Sequence, residues 1–472
     1  MPQTPRPRAR LSYRTQGAGG IRRFVLKVAQ YFPVDEIAGW PLISAALLAL
    51  VWANSPWGAS YDKLWATEFT LRVGLQTAKL DLQHVVNEFL MPLFFFVIGL
   101  EVKHELTLGR LSSWRTAAMP VCVGLGGMVV PATTYLALNA WGDGNPSGWA
   151  VPVATDIAFA LAILVLLGDR VPAGLKTLTL AFAAVDDIGG VLAIAFFFSQ
   201  GISWAPLIIA AMLVLLIVGL RQLYVQGVMV YALIGLGVLI STYASGVHTT
   251  IAGVVLGFVV SPQPIFKRED FIRRAEELLD DFRETHKVRT ELERRKQKSR
   301  EDFRRLESSL EKEESVLARL DSLTRGTETP IERAMLLANP WVSYLVLPLF
   351  ALANSGLRIS ADAMAQAATS PVAWGVFAGL LVGKPIGILA GAYLAEKAKI
   401  ASLPKGVDWW SLTGMSFLAG IGFTVSLFIA ELAFRAPEQL NHAKIGILLA
   451  TLLASVAGAF TLYLRPSGSN RG

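Results

Sequence analysis

The sequence predicts an all-α polytopic membrane protein: twelve transmembrane helices, with a charged helical insertion between the eighth and the ninth. Three observations predict it. The 472-residue chain is 53% hydrophobic with a mean hydropathy of +0.48, more apolar than soluble domains usually are. Twelve apolar stretches approach the roughly 20 residues that a helix needs to cross the hydrocarbon core. Lys and Arg gather in alternate connections, the asymmetry that orients spans.

The elements follow in order. Residues 1–36 are rich in Arg and Pro, among them Arg6, Arg8, Arg10, Arg14, Arg22 and Arg23, with no apolar core of a signal peptide. They read as a basic cytoplasmic tail within reach of anionic headgroups. Spans are expected at about 37–56, 85–102, 116–138, 149–167, 176–199, 203–220, 227–243 and 247–261, then at 336–355, 372–395, 409–433 and 442–464. The first group lies in a membrane unit of residues 37–262 and the second in one of residues 331–465. Positive charge lies in KHELTLGRLSSWR (103–115), at Arg170, Lys176 and Arg221, and in EKAKIASLPK (396–405). GDGNPSG, SQGIS and APEQLNH carry none, while the 57–84 loop is an exception with Lys63, Arg72 and Lys79. An even number of spans then puts both termini, including residues 466–472, in the cytoplasm.

Residues 263–330 are different in kind. They hold 17 Lys/Arg and 17 Asp/Glu. One heptad frame runs through Phe271, Ala275, Leu278, Phe282, Leu292, Phe303, Leu306, Leu310, Leu317 and Leu320, with a polar middle at Thr285, Arg289, Lys296 and Ser299. The frame fits a coiled coil with a second copy, an antiparallel hairpin bent near 286–300, or a solitary solvated helix.

The chemistry concentrates in the spans. Asp186 and Asp187 stand side by side in AFAAVDDIGGVLAIAFFF. A charge at mid-bilayer depth costs roughly 2.5–3.5 kcal/mol on insertion scales, and adjacent carboxylates repel. A helix that hosts both faces water or a cation; the bland alternative is a satisfied polar cluster. Asp156, preceded by Pro152 and Thr155, marks a helix interrupted within the membrane, and Gly420, Gly422 and Thr424 mark another. Where two broken helices cross, like ends of their dipoles meet. Asp156 would offset facing N-termini and Lys384 facing C-termini, each without having to be a ligand. Lys384 also suits an ion pair with Asp186 or Asp187, or a part in proton exchange. The Gly379, Gly383, Gly387, Gly391 ladder reads as close helix packing. His248 lies at a span end, structural or responsive to pH. Glu101 and Glu105 end a span, as solvated carboxylates or as an acidic funnel.

Other classes find little support. One cysteine, Cys122, allows no internal disulfide. The five histidines are scattered, without an HExxH, and no Walker-A loop is present, so neither a cofactor nor ATP is expected. The net charge of +7 fits cytoplasmic loops rather than nucleic-acid binding. An intramembrane aspartyl protease would carry Gly-x-Gly-Asp and Pro-Ala-Leu signatures, which are missing. A channel or an organic-solute symporter explains a carboxylate pair less well than coupled exchange does. No enzymatic activity is expected.

Several stretches together carry a resemblance: FFFVIGLEVKHEL, GGMVVPA, GWAVPVATDIAFALAILVLLGDRVP, AVDDIG, SGVHTTIAGVVLGF, NPWVSYLVLPLFALANSG, GLLVGKPIG and AGIGFTVSLFIAELAF. From about residue 36 to 464 the chain resembles the NhaA-type sodium/proton antiporters. The resemblance implies inverted repeats in which the fourth and eleventh spans are broken and cross. It implies that Asp186 and Asp187 bind Na⁺ or Li⁺ in competition with H⁺, that Asp156 and Thr155 support the site, and that Lys384 pairs with Asp186. It links Glu101, Glu105 and His248 to pH response. Implied too is a pH-regulated, electrogenic exchange of intracellular Na⁺ or Li⁺ for extracellular H⁺ in a bacterial inner membrane, with lipids and a second copy of the chain as partners. Three departures stand out. Ala334–Trp341 lacks the acid and the histidines usual ahead of its Pro-Trp, His104 replaces an Arg, and the 263–330 insertion is long.

Overall fold

The structure, a computed structural model, describes residues 39–73, 76–141, 143–198, 201–223, 228–264, 268–294, 299–327 and 329–465. The basic tail expected over 1–36 and the terminal segment 466–472 lie outside them.

The chain is a helical membrane bundle. Its elements are α1 (Gly39–Ala53), α2 (Gly58–Trp65), β1 (Glu68–Val73), β2 (Gln76–Asp81), α3 (Leu82–Thr107) and α4 (Trp114–Asn139). A 3₁₀ segment, Pro146–Val153, leads into α5 (Ile157–Leu166). Then come α6 (Ala173–Phe197), α7 (Trp204–Gln222), α8 (Val228–Ala244) and α9 (Thr249–Val259). Two polar helices follow, α10 (Arg268–Arg294) and α11 (Arg300–Thr327). The rest is α12 (Pro330–Asn354), α13 (Ala361–Thr369), α14 (Pro371–Lys397), α15 (Trp409–Ala419), α16 (Phe423–Ala433) and α17 (Pro437–Tyr463). By length and apolarity, 8 helices among the described residues suffice to cross a membrane, or up to 10 if each bent pair counts as one span. The bent pairs are α1–α2 (116°) and α15–α16 (44°). Each of the expected spans falls on one of these, or on the shorter apolar helices α8 and α9.

The all-α expectation omits a β-hairpin. β1 and β2 pair antiparallel, Glu68 opposite Asp81 and Val73 opposite Gln76, where the sequence reading saw only a charged loop. β-Branched Thr70, Val73 and Thr77 suit strands.

The charged insertion is an antiparallel hairpin. Glu313 of α11 is buried, with Arg289 Nη1 at 2.8 Å and His286 Nδ1 at 3.2 Å across from it on α10. The heptad frame holds along α10, where Leu292 is buried, but only at alternate positions in α11. There Leu306, Glu313 and Leu320 keep to the frame and are buried or half-buried, while Ser309, Val316 and Leu323 are buried one residue ahead of frame positions, and Phe303, Leu310 and Leu317 are exposed. At the far end, Thr329 and Glu332 form a reciprocal capping box that starts α12.

Small residues let the body close. A Cβ on Gly387 of α14 would sit 2.1 Å from the Gly126 carbonyl of α4, and one on Gly391 would sit 2.3 Å from the Cys122 carbonyl. The glycine ladder therefore seats α14 against α4, backbone on backbone. Three spans contain a π-helical turn: Val86–Leu90 in α3, Val342–Val346 in α12 and Gly379–Gly383 in α14. Each precedes an X-Pro pair, namely Met91–Pro92, Leu347–Pro348 and Lys384–Pro385. A proline ring clashes with the carbonyl four residues earlier and has no N–H to give it; a wide turn accommodates both. The Glu88 carbonyl, freed by Pro92, accepts instead from Thr249 Oγ1 at 2.7 Å.

Candidate functional site

Two interrupted spans meet in the middle of the bundle. The first unwinds at Ala154–Asp156, between the 3₁₀ segment and α5; the second unwinds at Gly420–Gly422, between α15 and α16. Their backbones are stitched together. Asp156 N–H donates to the Ile421 carbonyl (2.6 Å), Thr155 Oγ1 to the Ala419 carbonyl (2.9 Å) and Ser426 Oγ to the Val151 carbonyl (2.8 Å). Unwound backbone survives at this depth only where protein satisfies it, and here each strand supplies the other's partners.

The Asp156 carboxylate serves both helix starts at once. Oδ1 accepts from Phe159 N–H (3.0 Å) as the N-cap of α5. Oδ2 accepts from Thr424 N–H (3.1 Å) and Thr424 Oγ1 (2.6 Å) at the first turn of α16. One negative charge thus faces two helix N-termini, each carrying roughly +0.5 charge. One of the opposite ends receives a cation: the Lys384 ammonium donates to the carbonyl of Val153, the last residue of the 3₁₀ segment.

Lys384 also reaches the carboxylate pair. Its Nζ lies 2.9 Å from Asp186 Oδ2, with the two side chains 0% and 1% exposed. Lys384 holds its position because the π turn Gly379–Gly383 precedes it and glycines bring α14 close. Asp186 and Asp187 both lie buried in the middle of α6. Asp186 Oδ1 has no hydrogen-bond partner among the described residues. A buried carboxylate oxygen with an open lone pair is a place for a proton or a hard cation.

This is the constellation of broken helices, paired acids and lysine, and comparison with known proteins decides the family. The sequence model of the family described as Na⁺/H⁺ antiporter 1 matches residues 29–462. The chain belongs to that family. A Na⁺/H⁺ antiporter NhaA 2 of Sorangium cellulosum is 39% identical over 440 residues, covering 93% of this chain and 90% of the relative. An NhaA of Koribacter versatilis is 39% identical over 445 residues, covering 94% and 93%. Among solved structures, the sodium proton antiporter MjNhaP1 of Methanocaldococcus jannaschii aligns over 94% of this chain and 95% of its own at 11% identity and a TM-score of 0.39.

Of the other expected residues, Glu101 is near enough for its charge to act on Asp187, while Glu105 and His248 have their hydrogen-bond partners elsewhere. Glu101 and Glu105 lie on the last turns of α3, and Glu105 Oε2 accepts from Arg110 N–H at 3.0 Å, closing the turn beyond the helix. His248 caps α9, with Nδ1 3.0 Å from Thr250 Oγ1 and Nε2 3.1 Å from Glu88 Oε1. Glu88 went unremarked in the sequence, although an acid in VVNEFLMPLFFF is a signal of the same kind as Asp156. Its other oxygen accepts from Thr249 Oγ1 at 2.8 Å. Also unremarked was the Glu431–Lys444 pair (2.7 Å) between α16 and α17. It adjoins Gln83 and Asn354, which share a 2.9 Å hydrogen bond. Phe428 of α16 packs its ring against those of Phe95 (5.3 Å between centroids), Phe350 (6.1 Å) and His248 (5.2 Å).

Proposed function

We propose that this protein exchanges Na⁺ or Li⁺ for H⁺ at Asp186 and Asp187, as a secondary antiporter of a bacterial inner membrane with both termini cytoplasmic. The observation that carries the proposal is the buried Asp186–Lys384 ion pair (2.9 Å) beside a second buried carboxylate, at the crossing of two broken helices. A partly dehydrated cation needs oxygen ligands and negative charge, and Asp187 with Asp186 supplies both. It cannot share Asp186 with the Lys384 ammonium, since two cations would compete for one carboxylate. Cation entry therefore separates the pair and drives two protons off the site; cation exit lets two protons return and restores the pair. Exclusive occupancy couples the two fluxes. Two protons per Na⁺ make the cycle electrogenic, whether both ride on carboxylates or one rides on Lys384. The crossing itself stays electrically compensated by Asp156, so it can move without uncovering bare dipoles. Glu101, Glu105 and the His248–Glu88 pair set the response to pH, and a second copy of the chain and membrane lipids complete the assembly.

Dequenching of a pH-sensing dye by Na⁺ in everted vesicles, measured across pH with K⁺ as control, tests this reading. Na⁺ should dissipate the proton gradient, and the Asp187→Asn variant should not respond. A wild-type signal that is equal for K⁺, or that survives in Asp187→Asn, would sink it.

A further inference from the structure

The two basic connections of the body, 103–115 and 396–405, are far apart in sequence, yet the fold brings them together. They close around a cavity of about 800 Å³ at the start of α4 and the end of α14. Arg110, Arg115, Lys399 and Lys405 line it, with apolar wall from Met119, Pro120, Leu178 and Leu403. None of the four cations has an ion pair with a carboxylate among the described residues. Glu396 is the single acid of the lining, and its Oε1 accepts from Leu403 N–H at 3.1 Å. Lys399 holds a left-handed backbone, φ 55°, a conformation that non-glycine residues seldom adopt.

Four cations against one acid leave a net charge of about +3 on a concave surface. Such a mouth repels Na⁺, so it does not belong to the path of the transported cation, and the proposed exchange site makes no use of it. Its chemistry is that of an anion receptor. Arginine forks and lysine ammonium groups suit phosphate oxygens. The apolar wall beneath, at the end of two spans, suits the glycerol and first methylenes of a lipid. We propose that this cavity binds a phosphate-bearing anion, the headgroup of an acidic phospholipid, at the membrane surface where the positive loops lie.

Equilibrium binding to the purified full-length protein in an uncharged detergent tests the assignment. The probes are phosphatidylglycerol, phosphatidylcholine and glycerol 3-phosphate. The variants are Arg110→Gln/Arg115→Gln and Lys399→Gln/Lys405→Gln, so that each half of the site is emptied alone. A Lys63→Gln/Lys287→Gln variant removes two charges elsewhere, one in the 57–84 connection and one on α10. Phosphatidylglycerol should bind the wild type in preference to phosphatidylcholine. Each site variant should weaken that binding about 25-fold, at about fivefold per cation removed, while the control variant keeps it. If glycerol 3-phosphate binds as well as the lipid and with the same dependence on the four cations, the site stands and its occupant is a soluble phosphate. Equal phosphatidylglycerol affinity in the wild type and both site variants, or an equal loss in the control, overturns the site.

Discussion

Removing the Lys384 ammonium should destabilise the protein severely, and the structure sets the size of the effect. Lys384 is fully buried and pairs with Asp186 at 2.9 Å. Taking away one partner of a buried ion pair costs roughly 3–5 kcal/mol, because the other charge is left uncompensated. Lys384→Met isolates that term by keeping the stem. Lys384→Ala adds the loss of three buried methylenes, at about 0.8 kcal/mol each. Water entering the space recovers part of that second term, which leaves a total of about 5 kcal/mol for Lys384→Ala. The orphaned carboxylate is charged at high pH and neutral once protonated, so both deficits should grow as pH rises and shrink as it falls. Asp186→Asn removes the orphaned charge in turn. The double variant Asp186→Asn/Lys384→Met should therefore melt above Lys384→Met alone. The assay is thermal unfolding in detergent at two pH values. A Lys384→Met protein that melts with the wild type, or single-variant losses that simply add in the double variant, would refute the ion-pair argument.

Other outcomes follow from the same geometry. Asp187→Asn should abolish Na⁺-dependent proton movement in everted vesicles while leaving the amount of folded protein unchanged; normal exchange would move the site elsewhere. Asp156→Ala should slow exchange and lower the melting temperature without abolishing transport. Thr424→Val, which removes one of three donors to that carboxylate, should lose about 1 kcal/mol; a Thr424→Val loss as large as that of Asp156→Ala would contradict graded dipole compensation. Replacing residues 268–326 with a short Gly/Ser linker should leave exchange measurable, because the hairpin α10–α11 supplies no group to the crossing. A folded, membrane-inserted deletion without transport would place the hairpin in the mechanism.

What could be read from the sequence was what is local. A carboxylate in an apolar run, as at Asp156 or Asp186, announces itself one residue at a time. Apolar stretches likewise mark spans without reference to their neighbours. Pairings across the chain announce themselves only where two lone charges in apolar spans suit each other, as Lys384 and Asp186 do. Thr424 meets Asp156 and Glu88 meets His248 only because broken and packed helices bring them together. The phase of α11 also escaped, since alternative apolar stripes were available on it and only packing against α10 selects Ser309 and Val316 over Leu310 and Leu317. The β-hairpin was hidden by its charges, which were read for topology rather than for alternation.

The three proline-linked π turns have a bearing on how such a protein can change over evolutionary time. A π turn holds one more residue than the α-helix around it, and each residue advances a helix by about 100°. The spans on either side of Val86–Leu90, Val342–Val346 and Gly379–Gly383 are therefore out of phase with an uninterrupted helix. In α14 that offset sets the azimuth of Lys384. Loss of one residue from Gly379–Gly383 would swing the lysine about 100° around the helix relative to the segment before it. The azimuth of this cation is thus inherited as a residue count, and homologues of unequal length within this turn should not share the lysine's partner.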